Sequence, residues 1–123
     1  MTDIVVTWPK TRTLEHYLGE VYHAQMHGLE INYRVSRFPT FEGWTWDHDT
    51  CASPWGASSV RCYMVHDGLV RGSLRILYCC TREPGEVKDW PAGKYIVRSP
   101  YWLSLPVPEQ IPMHGFRGWR YFQ

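Results

Sequence analysis

The spacing of apolar residues predicts one helix near the amino terminus. Thr13 is a favourable N-cap residue and Gly28 a favourable helix end, so the pattern predicts a helix that runs to about His27. At 100° per residue, one stripe collects most of the apolar side chains of this segment. Its members are Leu14, Tyr17, Leu18, Val21 and Gln25. Such a stripe is typical of a helix that lies on a sheet.

Elsewhere apolar and polar residues alternate with period two, which indicates strands. Pro9 ends the first run, and the prolines from Pro106 to Pro112 favour an extended crossing before the last one. The predicted strands are residues 3–8, 30–37, the runs on either side of Asp67 and Gly68, 94–98 and 116–122. One helix with about six short strands predicts an α+β fold, a small, partly closed β-barrel with an N-terminal helix. Residues 1–123 are expected to form a single domain.

The dipeptide Asp67-Gly68 predicts a tight hairpin, because both residue types tolerate the backbone of a two-residue turn. Such a turn pairs Val65 with Val70 and, in an unbroken ladder, fixes the pairs beyond them. Those further pairs are Tyr63 with Gly72 and Arg61 with Leu74. The face expected in the core holds Tyr63, Val65, Val70, Gly72, Leu74 and Ile76. The face expected to point away from it holds Cys62, Met64, His66, Arg71, Ser73 and Arg75.

Residues 39–56 show neither the helical nor the period-two spacing of apolar residues, which predicts a long loop. Loops of this length are usually functional or partly packed. This one contains Trp44 and Trp46, and a tryptophan left in solvent keeps a large apolar surface exposed. We therefore expect these two rings to pack or to bind a ligand.

The net charge does not distinguish between classes of function, because 13 Lys and Arg nearly balance 12 Asp and Glu. No global field indicates a nucleic-acid partner by itself. The end of the chain is more basic, because from Lys94 onwards Glu109 is the only acidic residue. Seven Trp and eight Tyr supply ring faces together with hydrogen-bond donors, and either binding or packing in the core accounts for them.

The cysteines do not indicate a disulfide framework. Cys79 and Cys80 are adjacent, which leaves no ordinary loop for a bridge to close, and the chain opens with no secretory signal. Reduced thiols and a cytoplasmic location are the expectation. No apolar run has the length of a membrane span, so no membrane partner is expected.

The polar face of the predicted helix is rich in histidine. Its members are His16, Glu20, His23 and His27. His23 and His27 have the i, i+4 spacing with which two imidazoles can share zinc or nickel. Ala24 follows His23 where the metalloprotease motif requires Glu, so that chemistry is not indicated. A solvated helix face is the favoured interpretation, with this group as a weak metal candidate.

Catalysis would need a nucleophile, and the chain offers Cys51 or Cys62 with His48 or His66. No local motif singles out one pair, and a strand cysteine is most often a small buried apolar residue. No complete catalytic motif is present and no motif indicates a cofactor. The chain is therefore expected to be a binding protein rather than an enzyme.

Cationic and aromatic residues alternate at several places in the chain. Cations can bind phosphates while rings stack on unpaired bases, so this combination is typical of binding to single-stranded or flipped nucleotides. The candidate contact residues are Lys10, Arg12, Trp44, Trp46, Arg71, Arg75, Arg117, Trp119 and Arg120. In the alternative interpretation Trp8, Trp102 and Trp119 fill the barrel, and the arginines bridge strands to acidic neighbours.

Three patches resemble small uncharacterised phage-type proteins. They are Trp8-Pro9-Lys10, the hairpin from Tyr63 to Gly72, and the ending from Gly115 to Tyr121, of the form Gly-Phe-x-Gly-Trp-Arg-Tyr. The hairpin also resembles a strand pair of PUA-like domains, which include the ASCH and EVE modules. That resemblance implies a β-barrel that binds RNA or a modified base in an aromatic pocket. If the chain is phage-encoded, the cytoplasm is that of the host cell.

Three functional hypotheses follow from these observations. The first is a non-catalytic, PUA-like module that binds RNA or modified DNA. The second is a phage accessory protein that inhibits a host or anti-phage defence protein by direct contact through the Trp-rich loop, since Trp, Tyr and Arg dominate such interfaces. The third is a small hydrolase or transferase that uses Cys and His.

Overall fold

A computed structural model describes residues 2–54, 59–86 and 90–122. Within these ranges the chain forms one α-helix, one turn of 3-10 helix (Val107–Glu109) and nine strands. The helix is α1 (Leu14–Met26). The strands are β1 (Asp3–Thr7), β2 (Ile31–Val35), β3 (Thr45–Asp47), β4 (Thr50–Ala52), β5 (Arg61–His66), β6 (Leu69–Arg82), β7 (Gly93–Arg98), β8 (Leu103–Ser104) and β9 (Trp119–Phe122).

The helix forms where the sequence predicts it. The Oγ1 of Thr13 accepts a hydrogen bond from the backbone N–H of His16 at 3.1 Å, which satisfies one of the free donors of the first turn. Gly28 ends the helix in the left-handed region with φ of 63°. Tyr17 and Val21 are buried and pack on the sheet against residues of β5 and β6. The predicted apolar stripe is thereby confirmed.

The strands form one sheet in the order β2-β7-β6-β5-β1-β9. The pair β1 and β5 is parallel, and every other pair is antiparallel. A small hairpin of β3 and β4 pairs with the carboxyl-terminal part of β6, and β8 pairs with its amino-terminal part. The α+β class is confirmed. The sheet is not closed, however, and it has nine strands in the described residues rather than the predicted number of about six.

Side chains join the two ends of the open sheet. The Oη of Tyr33 on β2 donates to the carbonyl of Gly118 beside β9 at 3.1 Å, and the Nε1 of Trp119 donates to the carbonyl of Arg37 at 2.9 Å. The terminal strands therefore approach each other without backbone pairing. The concave side of this curled sheet encloses a core that includes Ile4, Val6, Cys62, Ile76, Ile96 and Trp119.

The predicted hairpin turn is confirmed, but most of the predicted register is wrong. Asp67 and Gly68 have φ of 50° and 80°, as a type I′ turn requires, and Val65 pairs with Val70. A bulge at Met64 and Val65 then shifts the ladder by one residue. The resulting pairs are Met64 with Gly72, Tyr63 with Ser73, Cys62 with Leu74 and Arg61 with Arg75.

The prediction that Cys62 and Met64 point away from the core is also wrong, because both faces of β5 are covered. Both side chains are 1% exposed. Helix α1 and the curled sheet cover their face, whereas the carboxyl-terminal segment covers the other. The residues that pack on that second face, around Val5, Val65 and Val70, include Leu105, Met113, Phe116 and Phe122.

The predicted loop over residues 39–56 contains the β3–β4 hairpin. Three-residue strands are too short for a period-two pattern to stand out, which is why the sequence indicates only a loop. Phe41 of this region is buried and Trp44 packs against the same core. Residues 55–56, the end of the predicted loop, lie outside the described residues. No helix in the described parts of the chain is long and apolar enough to cross a membrane.

Candidate ligand-binding cleft

The structure disperses the predicted contact residues over several surfaces. Arg71 is half-buried on β6, where its Nε donates to the carbonyl of His66 at 3.0 Å and its Nη1 to the Oε1 of Gln110 at 3.2 Å. Arg75 is half-buried opposite Arg61. Arg71 thus joins the hairpin to the carboxyl-terminal segment, but through a carbonyl and an amide oxygen rather than through the acidic neighbour that the structural alternative expects.

The predicted aromatic contacts comprise one buried ring, one half-buried ring and one exposed ring. Trp119 is buried beneath the guanidinium of Arg37, which lies 4.0 Å from its ring centroid. Trp44 packs on the core with its ring 4.7 Å from that of Phe41. Trp46 is 51% exposed and leans edge-on against Phe38 at 5.0 Å. Of the three, Trp46 offers the largest free ring surface.

The exposed predicted cations group near the end of β1 and near β9. Arg12 lies 5.6 Å from the ring of Trp8, and Arg120 lies 4.5 Å from that of Phe116. Lys10 borders a cavity of about 300 Å³ together with His114 of the closing segment. Arg117 is exposed as well. The fold therefore brings one predicted basic patch, that of Lys10, next to the carboxyl-terminal segment, which carries another.

The histidine-rich helix face is solvated. The Nε2 of His16 lies 3.2 Å from a carboxylate oxygen of Glu20, and the rings of His23 and His27 are 4.3 Å apart. Within residues 2–54, 59–86 and 90–122, no three His, Cys, Asp or Glu side chains are grouped so that they could hold a metal ion.

The cysteine and histidine candidates make no contact with each other in the described residues. The Nε2 of His66 bonds the carbonyl of Arg12 at 2.7 Å, so this nitrogen carries the proton. The Sγ of Cys62 instead accepts from Arg98. Burial raises the pKa of both the Cys62 and the Cys51 thiol above its ordinary value, which disfavours a thiolate nucleophile.

A second cavity, of about 360 Å³, opens between α1, the end of β1 and β2. We refer to it as the Arg98 cleft. Aromatic rings wall it, with Trp8 and Tyr17 in edge-on contact at 4.9 Å and Tyr33 opposite from β2. Glu20 and Asn32 contribute its polar edge. The cleft thus combines flat apolar walls with a few polar groups, as small-molecule sites do.

Arg98 lies at the floor of this cleft and is 4% exposed. It is the last residue of β7, between Ile31 of β2 and Ile76 of β6. Among the described residues its side chain makes one hydrogen bond, from Nη1 to the Sγ of Cys62 at 3.7 Å, and its buried Nε has no acceptor. Its guanidinium also lies 5.5 Å from the ring of Tyr33.

No carboxylate of the described residues lies within ion-pair distance of Arg98. Cys62 remains a neutral thiol because burial raises its pKa. Burial also raises the pKa of Tyr17, and the charge of Arg98 offsets only part of that rise. The hydroxyl of Tyr17 is buried close enough to the guanidinium of Arg98 to feel its charge, and it meets no other hydrogen-bonding partner within the described part of the chain. The floor of the cleft therefore presents a cation and a hydroxyl donor without an anion.

The chain matches no family model, no curated protein and no solved structure. The geometry of the site therefore carries the functional argument.

Arg98 is not among the predicted contact residues. In the predicted strand 94–98 it shares a face with Lys94 and Ile96, so alternation places it on the more polar side, opposite Tyr95 and Val97. The structure buries both sides of this strand at Arg98, where a charged residue must find a partner or border a cavity. That burial emerges only in the folded protein, so the sequence does not single out Arg98.

Proposed function

We propose that this chain is a non-catalytic, nucleic-acid-binding module of PUA-like type, and that its Arg98 cleft takes one unstacked base of RNA or modified DNA. The observation that carries the proposal is the guanidinium of Arg98, buried without a carboxylate at the floor of an aromatic-walled cavity. A buried charge without a partner destabilises a fold, so its presence calls for a compensating role.

The walls and volume of the cleft support a base as the occupant. Trp8, Tyr17 and Tyr33 supply ring surface of the kind on which unpaired bases stack. The volume of about 360 Å³ is at the small end of the range for ligand sites, which suits one base better than a longer stretch of polymer. Enzymes and readers that bind a single base take it out of the stack into such a pocket.

The cations beside the cleft support contact with the adjoining phosphates. Lys10 and Arg12 are exposed and follow Trp8 and Pro9, which border the cleft. The near-zero net charge of the chain disfavours a long, non-specific footprint. We therefore expect a few phosphate contacts and a correspondingly shallow dependence of affinity on salt, with a slope of about −0.7 for each contact to a single strand.

Fluorescence polarisation with short labelled single-stranded RNA, plain DNA and modified-base DNA, at about 50 mM and about 200 mM salt, tests this proposal. Arg98→Met should abolish binding. Arg34→Met is the matched control, since Arg34 is an exposed arginine of β2 whose side chain bonds the carbonyl of Ala92 outside the cleft. Absence of binding by the unmodified chain, or equal binding by Arg98→Met, would overturn the proposal.

A second candidate function rests on Trp46. Its exposed ring, set against Phe38, resembles the aromatic anchors that dominate protein interfaces. On this proposal the chain is a phage accessory protein that inhibits a host or defence protein through the β3–β4 hairpin. Trp46→Ala should then abolish inhibition while Arg98→Met leaves it intact. The opposite pattern would contradict it.

A further inference from the structure

We propose that the Arg98 cleft selects a 6-oxopurine, guanine in unmodified nucleic acid, by donating hydrogen bonds to its O6 and N7. This inference rests on the proposed function, since it names the base that the same cleft accepts.

The free groups at the floor are donors. A guanidinium carries five N–H donors and no acceptor, and Arg98 gives one of them to the sulfur of Cys62. The hydroxyl of Tyr17 keeps its proton, because burial raises its pKa, and that proton has no acceptor among the described residues. Its oxygen is itself an acceptor, but the guanidinium of Arg98 lies beside it and competes for that role. A ligand that enters this space must therefore bring acceptors, since facing donors would leave both sides unpaired.

The four common bases differ in the hydrogen-bonding groups that they present. Guanine presents two adjacent acceptors, O6 and N7, whose spacing matches that of two guanidinium donors. This paired hydrogen bond is the commonest specific contact of arginine with a base. Adenine places its N6 amino donor beside N7, and cytosine carries an N4 amino donor. Either amino group would meet the donors of Arg98. Thymine, or uracil in RNA, presents O4 as a single acceptor on this edge and cannot occupy two guanidinium donors. Guanine is therefore the base whose edge fits the floor of the cleft.

Depth and charge favour a base over a phosphate at Arg98. The backbone of a polymer continues in both directions, whereas a single base is a terminal group that a cavity of about 360 Å³ can enclose. Glu20 borders the same cleft, and its carboxylate would repel a phosphate. The same carboxylate is a hydrogen-bond acceptor, and guanine carries matching N–H donors on the edge away from O6 and N7. Glu20 thus fits a guanine ring and opposes an anion.

The test uses the full chain and the quenching of its tryptophan fluorescence by nucleosides, which carry no phosphate. Guanosine and inosine should bind at least about tenfold more tightly than adenosine or cytidine. Replacement of N7 by carbon, in 7-deazaguanosine, should remove most of this preference. Equal affinity for guanosine and adenosine would overturn the inference.

Arg98→Lys keeps the charge and loses the paired donors. It should reduce the guanosine preference to less than about threefold, while Arg34→Lys leaves the preference unchanged. Inorganic phosphate should not displace guanosine. Displacement by phosphate, or a preference that survives in Arg98→Lys, would contradict base recognition by Arg98. A thermal melt of each variant shows whether it is folded.

The two proposals fail in different ways. If oligonucleotides bind through the cleft but every base binds equally, the choice of guanine is wrong and the proposed function stands. If neither nucleosides nor oligonucleotides bind the unmodified chain, both proposals are wrong.

Discussion

The guanidinium of Arg98 donates to the thiol of Cys62 across 3.7 Å. A sulfur accepts weakly and a neutral thiol supplies no charge. The hydroxyl of Tyr17 lies beside the same guanidinium, and the ring of Tyr33 adds cation–π attraction at 5.5 Å. The fold thus retains a buried cation with no carboxylate of the described residues at ion-pair distance.

Replacement of Arg98 by Met should therefore raise the stability of the free protein. Met matches the length of the side chain and removes the cost of burying the charge, so we expect the free energy of unfolding to rise by about 1 kcal/mol or more. Urea unfolding of both proteins measures this change. A loss of more than about 1 kcal/mol would show that Arg98 supports the fold and would weaken the case for the cleft.

The link between the ends of the sheet gives a second prediction. The Oη of Tyr121 accepts from the backbone N–H of Thr40 at 2.9 Å and donates to its carbonyl at 3.1 Å. Tyr121→Phe removes both hydrogen bonds at a surface site and should lower the free energy of unfolding by about 1 kcal/mol. Tyr101→Phe is the control, because Tyr101 is 69% exposed. Equal stability of the two variants in urea would contradict a role for this link.

Local signals account for the parts of the fold that the sequence predicts. The helix depends on Thr13, on Gly28 and on the spacing between them, all within one stretch of chain. The turn at Asp67 likewise depends on two adjacent residues. The register beyond the turn depends instead on a bulge, which alternation alone does not reveal.

The candidate site depends on distant parts of the chain. Tyr17, Tyr33 and Arg98 come from a helix and from two strands that pair only in the folded protein. The sequence predicts the helix and both strands, but not that they meet around one cavity. Cationic and aromatic neighbours in sequence, such as Arg117 and Trp119, were more conspicuous, yet Trp119 is 4% exposed because it completes the concave core.

Gly72 gives a third prediction, because another segment crosses directly over it. A Cβ at this position would lie 2.5 Å from the carbonyl oxygen of Leu103 and would also overlap the ring of Trp102. Gly72→Ala should therefore destabilise the protein by about 1–3 kcal/mol, since β8 has to move away from β6. Thermal unfolding measures the loss.

Gly19→Ala is the matched control for this substitution. Gly19 is within α1, where a Cβ would meet nothing within 4 Å. Alanine favours a helix, so we expect a gain of up to about 1 kcal/mol. If Gly72→Ala melts at or above the temperature of the unmodified chain, β8 does not pack on β6 as described.

The thiol of Cys79 gives a prediction for alkaline pH. Burial, with a smaller effect of the neighbouring cysteines, raises its pKa from 9.0 to about 12. Because the folded value is the higher one, the folded state holds the proton more tightly than the unfolded chain does. The resulting stabilisation is fully present below pH 9 and is lost as the pH rises towards 12.

The free energy of unfolding should accordingly fall as the pH is raised above 9, and Cys79→Ala should show a smaller fall over that interval. Comparison of the two slopes cancels the contributions of other groups, such as Tyr78, whose pKa burial raises to about 12. At pH 8 the native protein should also leave Cys79 unmodified by iodoacetamide, because the reagent requires a thiolate. Rapid alkylation of Cys79 in the folded protein, read by mass spectrometry, would mean that this end of β6 is open to solvent.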